Sequence, residues 1–402
     1  MEERGVSSII VIAIVVVVVA VIGVGIIILK GGGGGGGEGP GPVWSYTTGD
    51  KVWSVGMSSD GSYIVAGGYD NKAYLFLRES SEPIWIYQAD SIIRCASISS
   101  DGSYISVGTG GGVNDPQKIG LGGKVHLFSK SSKNPLWSYE CRTGFNHVFI
   151  SSGVNYVSIS SDGSYIAAGS SDNKVYLFSQ SSSDPIWSYE TEGVIWQTSI
   201  SSDGNYVVAG SYDGKVYLFS KNDNNPLWIY DTGGGPLSAV NGVSISSDGS
   251  YIAAVSFGTG IIGPSPYHKL YLFSRSSSIP LWSYQLPYGG ISVVISSDGS
   301  HIIARCSGES KEHYRAYLFS RSDNTPKWSF EGVLGIAISS DGSYVVGGGL
   351  NAVYLFSENS NKPLWSYPTG GEVWSVEISA DGRYIAAGSL DYKAYVFDRE
   401  QV

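Results

Sequence analysis

"SSDGSYIAAGSSDNKVYLFSQSSSDPIWSYET", residues 160–191, carries the pattern that decides the fold. An Asp-Gly turn at Asp162 separates two runs rich in Tyr, Ile, Val and small residues, the signature of strands joined by a tight hairpin. A second turn at Asp172 leads into "KVYLF", and a polar stretch then leads into "PIWSY". Close copies recur along the chain. Asp-Gly turns stand at Asp60, Asp101, Asp162, Asp203, Asp248, Asp298, Asp341 and Asp381, and tryptophans at Trp44, Trp85, Trp137, Trp187, Trp228, Trp282, Trp328 and Trp365. Each unit holds four short strands, termed a, b, c and d. Repeats of about 40 to 60 residues with this content indicate radial four-stranded antiparallel blades.

The spacing separates framework from variation. From the Phe of strand c to the Trp of strand d the step is nine residues in all seven internal units. The Asp-to-Phe step is 16 in four units but 27, 25 and 21 in the second, fifth and sixth. The Trp-to-Asp step, usually 16, reaches 25 before Asp162 and 20 before Asp248. Antiparallel alternation puts a–b and c–d turns on one face of the disc and b–c and d–a loops on the other. All length variation therefore lies on one face, as expected where a rigid scaffold presents a binding surface. Residues 43–46 read as a strand d with nothing ahead of it, and residues 393–398 as a strand c with nothing behind it. Joined, they complete one blade and close an all-β, eight-bladed β-propeller over residues 43–402.

Composition agrees. The chain has 55 glycines and abundant Tyr, Val, Ile and Ser, which favour strands over helices. The net charge of −10, with no dense basic run, excludes a nucleic-acid partner. Cys95, Cys141 and Cys306 form no CxxC pair and read as small buried strand residues, a Cys95–Cys141 bond being the minor alternative.

Ahead of the propeller, residues 9–29 are an uncharged apolar run of membrane-spanning length, so residues 1–30 are expected to form one N-terminal transmembrane helix. Residues 31–42, "GGGGGGGEGPGP", read as a flexible linker spanning roughly 20 Å. Strand d begins at the uniform face, so the variable face is expected to point away from the membrane.

Two resemblances follow. "MEERGVSSIIVIAIVVVVV" is similar to the class III leader of archaeal pilins and archaellins, which is cut after the glycine, here Gly5. That resemblance implies a propeller outside the cytoplasm, and as an alternative a filament assembled through the apolar helix. "KVHLFSKSSKNPLWSYE", residues 124–140, resembles the repeat of quinoprotein-type, pyrroloquinoline-quinone-like propellers, and "ISSDGSYIAAGSSDNKVYLF", residues 159–178, looks equally like a WD repeat. Quinoprotein enzymes would imply a bound cofactor held with a metal and often with neighbouring cysteines. This chain has no adjacent cysteines, Ser-His-Asp arrangement, GxSxG elbow or phosphate loop. The expectation is no catalytic residue, no cofactor and no metal.

Candidate binding residues are those that differ between repeats. Trp53, Trp196 and Trp374 stand seven residues before their Asp-Gly turns, where strand a opens onto the central channel, and the matching residues include Arg94, Asn155 and Asn241. Strict alternation along strand a puts Trp53 on the side of Val55 and Met57, a packing position. The functional alternative is an aromatic and polar rim that grips a peptide side chain or stacks on a sugar, making the ligand a protein or a glycan. Asp70, Asp172, Asp213 and Asp391 lie in b–c turns on the same face, where local turn capping competes with a ligand role. His126 and His301 fill Tyr slots and read as packing residues. His147, His268 and His313 fall in three separate insertions.

Overall fold

Each Asp-Gly hairpin is a small closed network. In the first, Ser58 Oγ donates to Asp60 at 2.8 Å, Asp60 accepts from Ser62 N and Oγ at 2.9 and 2.6 Å, and Tyr63 N donates to Ser58 Oγ. Gly61 sits at φ +70°, a left-handed conformation that disfavours a side chain. A Cβ there would also meet the Tyr384 ring of the neighbouring blade at 2.7 Å. The Arg78 guanidinium also lies over Tyr384, 4.0 Å from the ring centre. The same grouping recurs as Gly102, Tyr63 and Lys130, and as Gly204, Tyr165 and Lys221.

The computed structural model describes residues 37–110, 122–141, 153–235, 238–258 and 265–401. Eight antiparallel four-stranded blades are present among them. Blade 1 is Val52–Met57, Tyr63–Gly68, Lys72–Leu77 and Pro83–Gln88. Blades 2 to 7 repeat it, opening with strands a at Ile92–Ile98, Val154–Ile159, Ile195–Ile200, Ala239–Ile245, Gly290–Ile295 and Val333–Ile338. Blade 8 takes Val373–Ile378, Tyr384–Ser389 and Lys393–Asp398 from the end of the chain and Trp44–Thr47 from its beginning. Trp44 pairs with Val396 and Thr47 with Lys393, as the repeat count requires.

Cores form between blades rather than within them. Val52 and Val55 of strand a pack with Ala386 and Val396 of blade 8, and Ile93 with Val65 and Leu75 of blade 1. Seven strand d tryptophans hydrogen-bond to the next blade, Trp44 donating to Arg78 O at 2.6 Å and Trp85 to Lys130 O at 3.1 Å, while Trp365 only packs there, on Phe397. A circle of backbone hydrogen bonds confirms closure. It runs Ser59 to Ser100, Ser161, Ser202, Ser247 and Ser297, continues from Asp298 to Ser340 and Ala380, and returns from Ala380 N to Ser59 O at 2.8 Å.

Hydrogen bonds also fix the two faces. Arg78 of a c–d turn donates to Asp60 O of an a–b turn. Asp70 of a b–c turn accepts from Gly49 N of a d–a loop. The described insertion Lys311–His313 joins that second face, Lys311 pairing with Glu372 of a d–a loop, and residues 111–121, 142–152 and 259–264, including His147, lie outside the described residues.

The expected helix over residues 1–30 and residues 31–36 of the linker also lie outside them. No helix among the described residues is long and apolar enough to cross a membrane. The last part of the linker is not a free tether: Gly37 and Glu38 pair in parallel with Trp365 and Ser366, adding a fifth strand to blade 7 at its uniform-face end. Gly39 fits there because a Cβ would meet the Trp365 ring at 2.8 Å.

One turn is strained. The b–c turns place Asn71, Asn173, Gly214 and Tyr392 at φ between +62° and +80°. Only Tyr392 lacks the short polar side chain or glycine suited to that region. Tyr392 is 44% exposed and contributes little packing. Tyr392→Asn is expected to raise stability by about 1 kcal/mol in urea unfolding; an unchanged or lowered midpoint contradicts this.

Candidate binding site at the channel mouth

Every strand a carries a β-bulge, always at its second blade position. The register skips Trp53, Arg94, Asn155, Trp196, Asn241, Ile291, Leu334 and Trp374, one residue per blade. A bulge breaks the two-residue alternation and re-aims the residue it leaves out of the ladder. This corrects the expected parity of Trp53. Val52, Val55 and Met57 belong to the inter-blade core, whereas Trp53 stacks on Trp374 with ring centres 5.6 Å apart and planes 20° apart. Tyr69 packs edge-on against Trp53.

Contacts between blades that are not neighbours place this ring of residues around the channel. The Arg94 guanidinium of blade 2 lies 6.0 Å from the Trp196 ring of blade 4, and Trp196 stacks on Tyr212 at 5.4 Å. Arg305 of blade 6 lies 5.7 Å from the Trp374 ring of blade 8. Lys311, in the short 3-10 turn Lys311–His313 of the blade 6 insertion, approaches the same ring at 5.4 Å and pairs with Glu372 at 2.8 Å. Trp374 Nε1 donates to Glu372 at 2.8 Å. Two aromatic clusters with cations thus occupy the rim, one on Trp53 and Trp374, the other on Trp196.

The two asparagines donate to the frame, Asn241 keeping a buried Oδ1 without a partner. Asn155 Nδ2 donates to Ile195 O at 2.8 Å and Ser171 Oγ at 3.1 Å, and Asn241 Nδ2 to Gly290 O at 2.9 Å. The four aspartates are saturated. Asp70 accepts from Lys72 N at 3.0 Å, Tyr74 OH at 2.6 Å and Gly49 N at 2.9 Å. Asp172, Asp213 and Asp391 accept from Tyr176, Tyr217 and Tyr395 in the same way. These carboxylates lock each b–c turn to its strand c.

Tyr156, next to the bulge in blade 3, is 36% exposed. Burial pushes its phenol well above the usual range, and the charge of Glu377, across the channel in blade 8, pushes the same way. Burial also raises the Glu377 carboxyl to about 7.

Among the histidines, His126 is buried in its Tyr slot with Nδ1 2.7 Å from Ser138 Oγ, and burial lowers its pKa to about 4. His301 occupies the Tyr slot against Gly342 and pairs with Glu358 at 2.8 Å. His268 is buried against Phe257, and His313 is exposed. No group of His, Cys, Asp or Glu suited to a metal exists among the described residues. The three thiols are buried and unbonded, the Cys95–Cys141 alternative not being formed.

Arg305, Lys311, Tyr69, Tyr212 and Glu377 escaped the sequence reading. A signal existed for Arg305: its place in strand b is Gly67, Gly108, Gly169, Gly210, Gly348 or Gly388 in six blades and Val255 in another.

Comparison with known proteins agrees with this architecture. Residues 121–305 match the family described as "Outer membrane protein assembly factor BamB", a PQQ-like repeat model. Residues 41–76 and 361–398 match "WD domain, G-beta repeat". Each of the latter spans runs from strand d through a, b and c, so the first of them crosses from the closing strand of blade 8 into blade 1. A search of curated proteins found no match. Both matches fit a binding or assembly module with capacity for protein ligands.

Proposed function

We propose that this eight-bladed propeller, with its PQQ-like and WD-repeat-like blades, is a membrane-tethered, non-catalytic binding or assembly module held outside the cytoplasm, with its ligand taken at the channel mouth on the variable face. The observation that carries the reading is the ring of bulges. In every blade the residue released from the ladder stands at the same place and varies between Trp, Arg, Asn, Ile and Leu, while the Asp-Gly turns and the inter-blade cores repeat almost unchanged. Aromatic residues and Arg gathered at a concave opening are the residue types that dominate binding energy in protein interfaces.

A protein segment is favoured over a glycan. Sugar hydroxyls need several unengaged polar partners, and of the two rim amides Asn155 is fully engaged while Asn241 leaves only its Oδ1 free. The match to a family described as an outer membrane protein assembly factor supports the same choice. The apolar run of residues 9–29 supports the tether. The pairing of Gly37 with Trp365, at the c–d end of strand d, supports a variable face turned away from the membrane.

Replacing Trp53 and Trp374 together with Ala tests the reading. Both side chains lie outside the inter-blade cores, so the thermal midpoint is expected to stay within a few degrees of the parent. Capture of the native partner is expected to weaken about tenfold or more. Undiminished capture by the folded double variant refutes the channel mouth as the site.

A further inference from the structure

Arg305 is the most anomalous charge in the molecule. It stands where six blades have Gly and one has Val. At Gly67 and Gly169 a Cβ would meet Ile93 and Ile195 at 2.4 and 2.5 Å, which explains the glycines. In blade 6 an arginine is built in instead and is only 5% exposed. Its Nε donates to Ser292 Oγ at 3.2 Å, but its buried Nη1 has no hydrogen-bond partner. It forms no ion pair among the described residues, and Glu372, the carboxylate bonded to the Trp374 indole, pairs with Lys311. Burial lowers its pKa to about 10, so it stays charged at neutral pH. A buried cation lacking a counter-ion is costly to a fold, and Gly at the same place shows that the propeller frame does not require it.

Resting on the binding site at the channel mouth, we propose that Arg305 is the receptor for one carboxylate, carried by an acidic peptide segment of the partner. The guanidinium lies 5.9 Å from the Tyr314 ring and 5.7 Å from the Trp374 ring, and Trp374 stacks on Trp53. These flat apolar walls suit the aliphatic stem of a Glu or Asp, and the guanidinium suits its head group. Lys311 and Glu372 lie at the same indole, and Lys311 is 45% exposed. Surface pairs of this kind are weak and can part to admit a stronger anion. A single guanidinium, with the Glu372 carboxylate at the adjoining indole, suits a monoanion better than a doubly charged phosphate.

The test uses full-length protein in detergent and two capped random peptide pools that differ only in a fixed central Glu or Gln. Retention of the Glu pool is expected to exceed that of the Gln pool by about tenfold, and Arg305→Met is expected to bring the ratio to about one. Equal retention of both pools, or a preference that survives Arg305→Met, overturns the proposal. Arg305-dependent capture of oligogalacturonate in place of the peptides overturns it in favour of an acidic sugar. If both pools bind equally and binding is lost on replacing Trp53 and Trp374, the channel-mouth site stands and only the carboxylate falls. If neither pool binds, or binding ignores both tryptophans, the two readings fall together. Without any ligand, Arg305→Met is expected to raise the thermal midpoint by roughly 2–6 °C by removing a buried uncompensated charge. A lowered midpoint makes Arg305 a structural residue and overturns the proposal.

Discussion

Trp44→Ala is expected to destabilise the propeller by about 3–5 kcal/mol, the range for truncating a large buried aromatic. The indole is 8% exposed, rests 5.0 Å from the Phe76 ring and donates to Arg78 O at 2.6 Å. It also anchors the four-residue strand Trp44–Thr47, the segment that joins the two ends of the chain into blade 8. Trp282 makes equivalent contacts, with Phe319 and Arg321 O, inside a blade that is covalently continuous. Trp282→Ala therefore measures the contact alone, and Trp44→Ala the contact together with closure. Urea unfolding followed by near-ultraviolet circular dichroism gives the two losses. Faster proteolysis near residues 43–47 is expected only for Trp44→Ala. A loss under 1 kcal/mol at Trp44 would mean that blade 8 is not the latch of the ring.

Glu377→Gln is expected to stabilise the protein at pH 8 and to have no effect near pH 4.5. The carboxyl titrates near 7 in the folded channel and near 4.5 in the unfolded chain. Between those values the folded state holds a proton that the unfolded state has lost, so stability falls as pH rises through this window and stays reduced above it. With allowance for channel water, the difference at pH 8 is about 1–3 kcal/mol in favour of Gln. Other carboxylates titrate in both proteins and cancel in the comparison. A Glu377→Gln difference independent of pH from 4.5 to 8 would mean that the carboxyl is not enclosed.

Much of the fold is legible in the sequence because each blade repeats the same solutions. The eight Asp-Gly turns give the blade count, the constant nine-residue step from Phe to Trp marks the rigid c–d turn, and the incomplete ends at Trp44 and Val396 give the latch. The turn-capping reading of Asp70 and its counterparts was within reach for the same reason, since Asp and the Tyr four residues on recur together. The site is legible only in part. Counting back from Asp60 finds Trp53, but alternation assigns it to the wrong side, because a bulge is a register property of two strands and leaves no local mark. Arg305 and Glu377 act across the channel, between blades far apart in the chain, and no spacing rule links them to Trp374 or Tyr156. The pairing of Gly37 with Trp365 was illegible because glycine carries no side-chain pattern to read.

Photo-crosslinking from single positions asks most directly where the ligand is held. A benzophenone side chain replaces Trp53, Trp196 or Trp374 at the channel mouth, or Asp60 or Asp223 in turns of the opposite face, in full-length protein in its native membrane. Adducts of one common partner at the three channel-mouth positions, absent from Asp60 and Asp223, are the expected result. Adducts at Asp60 and Asp223 with none at the tryptophan positions would contradict a binding site at the channel mouth.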